Sequence, residues 1–274
     1  MTRVQVPVDG GEMPADLHLP AGGRGPGIVL FQEIFGVTDY IDGRARDLAA
    51  LGYVVLVPHV YWRQGDPVIS GDDALPRAMD AMGKLDWDMT LADGVAAVAA
   101  LRQRAEITGP TGVFGFCFGG GLAFAVAVAD DPDFLVSYYG SALPRLLDAA
   151  GQVRAPSLHH FGLADEYLPA GTVQRIERAV TGGPAEVTVH TYDAAGHAFD
   201  NPLPVFHHSD AARRAWDNTV VWLSRTAPAS LATGRYGPGL SAQARARSTS
   251  PRVRPTAGSA GSRRVGAGRR AAQS

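Results

Sequence analysis

After residue 26, the hydrophobic positions of the chain alternate between two patterns. Short apolar runs bounded by glycine or proline predict buried strands, and apolar side chains three or four positions apart predict helices. The predicted strands cover residues 26–32, 53–57, 112–115, 134–139, 157–161 and 186–192, and the predicted helices cover 38–51, 86–104, 122–129, 170–180 and 209–223. Strands that alternate with helices indicate a parallel sheet covered on both faces.

The first twenty residues follow a different pattern. Polar and apolar side chains alternate in residues 3–8 and 15–19, which predicts an antiparallel pair at one edge of the sheet. We therefore expect one α/β domain over residues 1–226, with a mostly parallel central sheet, helices on both faces and an antiparallel N-terminal edge.

The C-terminal segment differs from this domain in composition. Residues 227–274 contain nine arginines and no acidic residue, whereas the first 226 residues hold 16 basic and 27 acidic groups, a net charge of −11. The segment is rich in Gly, Ala, Ser, Pro and Arg, so it lacks the apolar surface needed to offset its ordering entropy, and we predict disorder. We favour a solvated appendage. The alternative is contact of its arginine pairs, 263–264 and 269–270, with nucleic acid or acidic surfaces.

Several classes of protein are disfavoured by what the sequence lacks. There is no run of 18 apolar residues and no apolar signal-peptide core at the N-terminus, so we expect no membrane span. A single cysteine forms no internal disulfide and suits the cytoplasm. The chain has no Gly-x-Gly-x-x-Gly after a strand, no Gly-Lys-Ser/Thr loop and no zinc-type spacing. We accordingly expect neither a cofactor nor a metal.

Candidate chemistry lies at the junctions that follow the predicted strands, where parallel sheets carry their sites. Cys117 stands in Gly-Phe-Cys-Phe-Gly-Gly, Asp165 in Gly-Leu-Ala-Asp and His197 in Ala-Ala-Gly-His. The order nucleophile, acid, histidine is that of an α/β-hydrolase triad, with cysteine in place of serine.

Gly-x-Cys-x-Gly is also the pattern of a nucleophile elbow, a sharp strand-to-helix turn that exposes its central side chain. The N–H of Phe118 would form half of an oxyanion hole, and an N–H near Ile34 would form the other half. His197 would exchange protons with Cys117, and Asp165 would orient His197.

Each assignment has an alternative. A single cysteine is more often a small buried side chain than a nucleophile, and the elbow pattern is what favours the nucleophile here. Asp193 and Glu166 compete with Asp165, which we prefer because it stands at the junction before that of the histidine. Four other histidines lie in a predicted strand or at a helix start, which indicates structural roles: His159, His160, His207 and His208.

The chain resembles the dienelactone hydrolase family, the carboxymethylenebutenolidases. The matching segments are FQEIFGV (31–37), GYVVLVPHVYWRQGDP (52–67), FGFCFGGGLAFAVA (114–127), VSYYG (136–140), FGLADEYLPA (161–170) and YDAAGHAFDNP (192–202). The resemblance implies a hydrolase that cleaves a lactone or small ester through a cysteine acyl-enzyme. It also implies that Glu33, which is similar to the family glutamate, holds and then deprotonates the thiol. The alternatives are a broad small-ester or thioester hydrolase, or a non-catalytic binding protein of this fold.

The resemblance extends only in part to substrate binding. The family's dienelactone carries a carboxylate held by two arginines. Arg77 matches the first, but Asn201 stands at the second position, four residues after His197. An incomplete clamp puts dienelactone in doubt and favours another lactone or a small ester. Further candidates for the pocket lining are Trp62, Arg63, Trp87 and Tyr139. We expect a monomer with a small-molecule substrate.

Overall fold

The computed structural model describes residues 1–67 and 69–229. The strands are β1 (Thr2–Val8), β2 (Gly11–His18), β3 (Gly25–Phe31), β4 (Val54–Pro58), β5 (Ile107–Phe116), β6 (Leu135–Tyr138), β7 (Ser157–Gly162) and β8 (Val187–Tyr192). The helices are α1 (Asp39–Ala50), α2 (Ala74–Gly83), α3 (Trp87–Arg102), α4 (Phe118–Asp130), α5 (Ala170–Thr181) and α6 (Ser209–Thr226).

These strands form one sheet in the order β1-β2-β4-β3-β5-β6-β7-β8. β2 pairs antiparallel with both β1 and β4, and all other neighbours are parallel. The chain moves from β3 outward to β4 and then back to β5 on the other side of β3. The loops after β3 and β5 therefore diverge at the carboxyl edge of the sheet, which is where parallel sheets open a crevice for ligands.

The centre of the sheet is dry on both faces. The β3 side chains from Ile28 to Phe31 are fully buried, as are Val113, Phe114 and Phe116 on β5. Helices cover these strands on both sides, so their sequences are nearly continuous apolar runs rather than alternating ones. This rigid centre supports the loops that follow β3 and β5.

The hydrophobic pattern predicted most of these elements, and the structure confirms the antiparallel edge and the alternating strands and helices. It adds α2, which the pattern did not predict. Leu75 and Met79 of this helix are exposed while the small Ala78 and Ala81 face the core. A buried face made of alanines gives no apolar periodicity to detect. Helix α4 also begins earlier than predicted, at Phe118, because three consecutive glycines are helical there.

The predicted disordered segment, residues 227–274, lies outside the described residues except for its first three. Of those three, Ala227 is buried, and its carbonyl accepts a hydrogen bond of 2.8 Å from the hydroxyl of Tyr53. The folded body therefore extends at least to Ala227. In the part of the chain that the structure describes, no helix is long and apolar enough to cross a membrane.

Candidate active site

Cys117 lies at the turn between β5 and α4 with a backbone that few residues adopt. Its φ of 53° and ψ of −116° place a non-glycine residue in a sparsely populated region. Hydrogen bonds hold this conformation: the Cys117 N–H donates to the Tyr138 carbonyl at 3.0 Å, and the Cys117 carbonyl accepts from the Ser141 N–H at 3.1 Å. The elbow geometry predicted from the glycine pattern is thus present.

The flanking glycines are needed because backbones meet closely around the turn. A Cβ on Gly115 would lie 2.0 Å from the Gly119 carbonyl oxygen. One on Gly119 would lie 2.4 Å from the carbonyl oxygens of Phe31 and Gln32. The first turn of α4 consequently packs directly on the end of β3, which brings the following loop, with Ile34, to the elbow.

Three side chains from three loops meet at the elbow. His197 places Nε2 3.0 Å from Sγ of Cys117 and Nδ1 2.7 Å from Oδ2 of Asp165. The other oxygen of Asp165 accepts from the N–H groups of Tyr167 at 2.8 Å and Leu168 at 3.0 Å, which fixes the carboxylate. The structure therefore brings Asp165, not Asp193 or Glu166, to the imidazole.

The charge environment of His197 favours a proton on its ring. Burial by itself would lower the pKa of His197, but the interactions with Cys117 and Asp165 outweigh burial and raise the pKa to about 10. A protonated imidazole 3.0 Å from sulfur stabilises a thiolate, the nucleophilic form of cysteine.

Glu33 is a buried carboxyl group at the end of β3. Its Oε2 accepts a hydrogen bond of 2.7 Å from Nδ2 of Asn201, whose own Oδ1 accepts from the Leu203 N–H at 3.0 Å. Burial raises the pKa of Glu33 to about 7, against the opposing effect of the Asn201 hydrogen bond. In this conformation Glu33 is held by Asn201, and His197 is the group that contacts Cys117.

The two predicted oxyanion-hole residues stand at the start of α4 and in the loop after β3. Phe118 is the first residue of α4, so its N–H has no acceptor within the helix. Ile34 is in the loop after β3, and its carbonyl accepts a 2.7 Å hydrogen bond from the hydroxyl of Tyr61, which fixes that stretch of backbone.

Trp87 and Tyr139, two of the predicted substrate-binding residues, pack against this site. The Trp87 ring meets Phe118 edge-on at 6.1 Å, and the Tyr139 ring centre lies 5.3 Å from that of His197. Tyr139 has a φ of 38°, a second strained non-glycine backbone close to the site.

The other predicted substrate-binding residues have different partners. Asn201 binds Glu33, as described above. The indole N–H of Trp62 donates to Asp93 of α3 at 3.0 Å, and Arg63 pairs with the same carboxylate and with the Asp9 carbonyl. Arg77 is exposed on α2, near Ser70 and Asp73. The described contacts of Trp62, Arg63 and Arg77 are thus not with the Cys117–His197–Asp165 cluster.

Sequence reasoning missed a second buried charge cluster beside the site. Asp200 is fully covered and accepts from Arg44 at 2.7 and 2.9 Å and from the Tyr40 hydroxyl at 2.5 Å. Its position inside the segment that carries His197 and Asn201 was a signal, as was the spacing of Tyr40 and Arg44 by one helical turn. Neither signal identifies the partner.

A mostly parallel sheet with a nucleophile elbow, followed along the chain by an acid and a histidine on later loops, defines the α/β-hydrolase class of proteins. Within that class, residues 13–227 match the dienelactone hydrolase family, and the chain belongs to this family. Both the fold prediction and the family resemblance are confirmed, and the chain is a carboxylic-ester hydrolase of this kind.

Individual relatives agree with the family assignment. The chain is 37% identical over 224 residues to carboxymethylenebutenolidase from Pseudomonas sp. strain P51, covering 80% of this chain and 92% of that one. It is 34% identical over 220 residues to the Pseudomonas putida carboxymethylenebutenolidase, covering 79% and 92%. A crystal structure of a putative dienelactone hydrolase from Klebsiella pneumoniae has a TM-score of 0.72 at 26% identity, covering 82% of this chain and 98% of that one.

Proposed function

We propose that the protein hydrolyses a lactone or small ester through an acyl-enzyme on Cys117. The observation that carries the proposal is the contact of Sγ with His197 Nε2 at 3.0 Å while Asp165 holds Nδ1 at 2.7 Å. A sulfur nucleophile, a proton carrier and an orienting carboxylate are the parts that covalent acyl transfer needs. The similarity to two carboxymethylenebutenolidases supports an ester bond within a ring as substrate.

In the first half of the reaction, the Cys117 thiolate attacks the carbonyl carbon and forms a carbon–sulfur bond. The carbonyl oxygen becomes an oxyanion, to which the N–H groups of Ile34 and Phe118 donate. The carbon–oxygen bond then breaks, and protonated His197 gives its proton to the leaving alcohol or enolate oxygen.

In the second half, neutral His197 takes a proton from water, which attacks the thioester carbonyl. A second oxyanion forms in the same place. It collapses with release of the acid product and of the Cys117 thiolate, which again faces a protonated His197.

Glu33 acts in its ionised form. As a carboxylate it favours the protonated state of His197, and through it the thiolate. When Cys117 is instead a neutral thiol beside neutral His197, Glu33 turns from Asn201 toward sulfur, takes the thiol proton and passes it to His197. This gives the same pair of thiolate and protonated imidazole, and it is the role that the family resemblance assigns to this glutamate.

The substrate is uncharged near the reacting ester. Asn201 offers a neutral amide where a carboxylate-binding arginine is expected, and both ends of that amide are engaged with Glu33 and Leu203. Large apolar side chains are exposed on the loops that carry Asp165 and Asn201: Tyr167 at 64%, Leu203 at 50% and Val205 at 80%. These exposed apolar side chains, together with a neutral amide at position 201, favour neutral lactones and esters over an anionic dienelactone.

The acyl-enzyme is directly testable. After rapid acid quench of a reaction with p-nitrophenyl acetate, intact-mass measurement will show one added acetyl group, and peptide mapping will place it on Cys117. The mechanism would be contradicted if the acetyl group were found on a serine or a histidine during the burst of p-nitrophenol. It would also be contradicted if no residue carried the group.

Because the pKa of Glu33 is raised to about 7, kcat/KM for a neutral ester will rise as the pH passes upward through about 7. Below this value Glu33 is protonated and its charge is lost. Glu33→Gln will remove this dependence and lower kcat/KM by roughly 10²-fold. The exposed Glu166→Gln is the matched control and will keep the wild-type profile. A Glu33→Gln profile that still rises through pH 7 would show that another group titrates.

Asn201→Arg tests the substrate class. An arginine at this position supplies a cation for a substrate carboxylate, so the ratio of kcat/KM for dienelactone to that for a neutral lactone will rise by about tenfold or more. Asn201→Gln lengthens the side chain without adding charge and will leave the ratio near the wild-type value. A wild-type enzyme that already prefers dienelactone strongly, with no gain in the arginine variant, would refute a neutral substrate.

A further inference from the structure

The cluster formed by Tyr40, Arg44 and Asp200, here called the Asp200 cluster, has no part in the reaction steps above. Arg44 donates two hydrogen bonds to Asp200, from Nε to Oδ2 at 2.9 Å and from Nη2 to Oδ1 at 2.7 Å. Tyr40 adds a third donor at 2.5 Å. Burying a carboxylate is costly, and three charge-assisted or short bonds on one group indicate a fixed anion rather than a surface ion pair.

Both donors of the Asp200 cluster come from one turn of α1, which is itself firmly seated. The Tyr40 ring meets Phe116, the last residue of β5, edge-on at 5.4 Å. The Arg44 guanidinium lies over the Trp216 ring of α6 at 4.3 Å. Asp200 is thereby tied to a rigid helix rather than to another loop.

The segment that contains Asp200 carries the working groups of the site. His197 is three residues before it and Asn201, which binds Glu33, is the next residue. Ala198 in this segment has a φ of 55°, and the Asn201 N–H donates to its carbonyl at 2.8 Å. A strained loop of this kind needs an anchor to hold one conformation.

The Asp200 cluster is also connected to Glu33 through the side chains of Tyr40 and Tyr139. The Tyr40 hydroxyl, which donates to Asp200, lies 3.4 Å from the hydroxyl of Tyr139, and Tyr139 faces Glu33. Among the described residues, the ionisable groups that act on Glu33 include His197 and Asp200 from the loop after β8, Tyr139 from the loop after β6 and Tyr40 from α1. Asp200 is the carboxylate among them.

We propose that Asp200 is a positioning residue: it anchors the segment from His197 to Asn201 on α1, and it places a fixed negative charge behind Glu33. The inference rests on the proposed function of Glu33, because Asp200 affects turnover only by changing the ionisation of Glu33. Asp200 touches neither sulfur nor substrate in this role. Burial is the main cause of the raised pKa of Glu33, and the charge of Asp200 adds to it by opposing ionisation of that carboxyl group.

The test compares the pH midpoint of kcat/KM among three proteins. Asp200→Asn removes the anion beside Glu33 and leaves Arg44 paired with the exposed Asp47 at 3.1 Å, so the midpoint will fall by about half a pH unit or more. The double variant Asp200→Asn with Arg44→Gln removes both charges, and its midpoint will lie between the other two, below wild type. If Asp200 serves only in packing, the variants will have a lower Tm, and their pH midpoints will not follow this order.

Two controls separate charge from stability. Tyr40→Phe removes one donor but keeps the Asp200 charge, so it will lower Tm without lowering the midpoint. Asp93→Asn breaks another buried aspartate–arginine pair, the one with Arg63, and will likewise leave the midpoint in place. If Asp200→Asn does not fold, the neutral double variant carries the comparison with wild type.

A second readout keeps this inference distinguishable from the proposed function. The infrared carbonyl band of protonated Glu33, identified by its loss in Glu33→Gln, reports its titration without turnover. If Glu33→Gln leaves the pH–rate profile unchanged, the role of Glu33 fails, yet the infrared midpoint still tests Asp200. An infrared midpoint in Asp200→Asn, or in the double variant, that equals or exceeds the wild-type value would overturn the inference.

Discussion

Cys117→Ala will hydrolyse p-nitrophenyl acetate and lactones with kcat/KM reduced on the order of 10⁴-fold or more relative to wild type. Removing the sulfur removes the covalent route, and what remains is the background given by binding and the oxyanion donors. The loss will be similar across neutral substrates, because every one of them needs the same carbon–sulfur bond. Steady-state kinetics on both proteins measures it.

The fold of this variant serves as its control. Cys117 is a small side chain, and alanine fills nearly the same space, so Tm will change by only a few degrees. We therefore expect the Cys117→Ala protein to be folded but to have almost no turnover. Equal rates in the two proteins would remove Cys117 from the mechanism and leave the elbow as a structural turn.

Gly119→Ala will disrupt folding, with a loss of about 3 kcal/mol or more in the free energy of unfolding. The added Cβ would lie 2.4 Å from two carbonyl oxygens of Phe31 and Gln32, and backbone cannot move aside as a side chain can. Relief requires α4 to shift away from β3. That shift also separates the Phe118 N–H from the loop that carries Ile34, so any folded fraction will lose activity as well.

Gly22→Ala is the matched control for this change. A Cβ at Gly22 meets no heavy atom within 4 Å, so the same substitution there costs little. Urea unfolding of both variants, together with ester turnover, gives the comparison. A Gly119→Ala protein as stable as Gly22→Ala would show that α4 has room to shift and that contact with β3 does not set the elbow.

The sequence carried the parts of the site that local backbone chemistry specifies. Gly115, Cys117 and Gly119 are close in the chain, and the constraint that links them, a tight strand-to-helix turn, operates over the same few residues. The strands could also be predicted, because a continuous apolar run lies within a few consecutive residues. Helix α2 was missed because its buried face consists of alanines, which leave no periodic signal.

The sequence did not show which side chains from different loops contact each other. Asp165, Glu166 and Asp193 were all plausible acids from the sequence, and only the distance from Asp165 to His197, 2.7 Å, separates them. Trp62 and Arg63 were predicted to line the pocket. Their polar groups are bound to Asp93, 30 or 31 positions away in the chain.

The sequence by itself therefore determined the fold class, the elbow, the family and the order of nucleophile, acid and histidine. The tertiary structure decided that Asn201 holds Glu33 and that Arg44 and Tyr40 hold Asp200. These partners lie 156 to 168 positions apart in the chain. Hydrophobic periodicity records which face of a strand or helix is buried, but it contains no information on which distant polar group that face will meet. The pKa of Glu33 depends on its burial and on these polar contacts, and so it is a property of the folded chain.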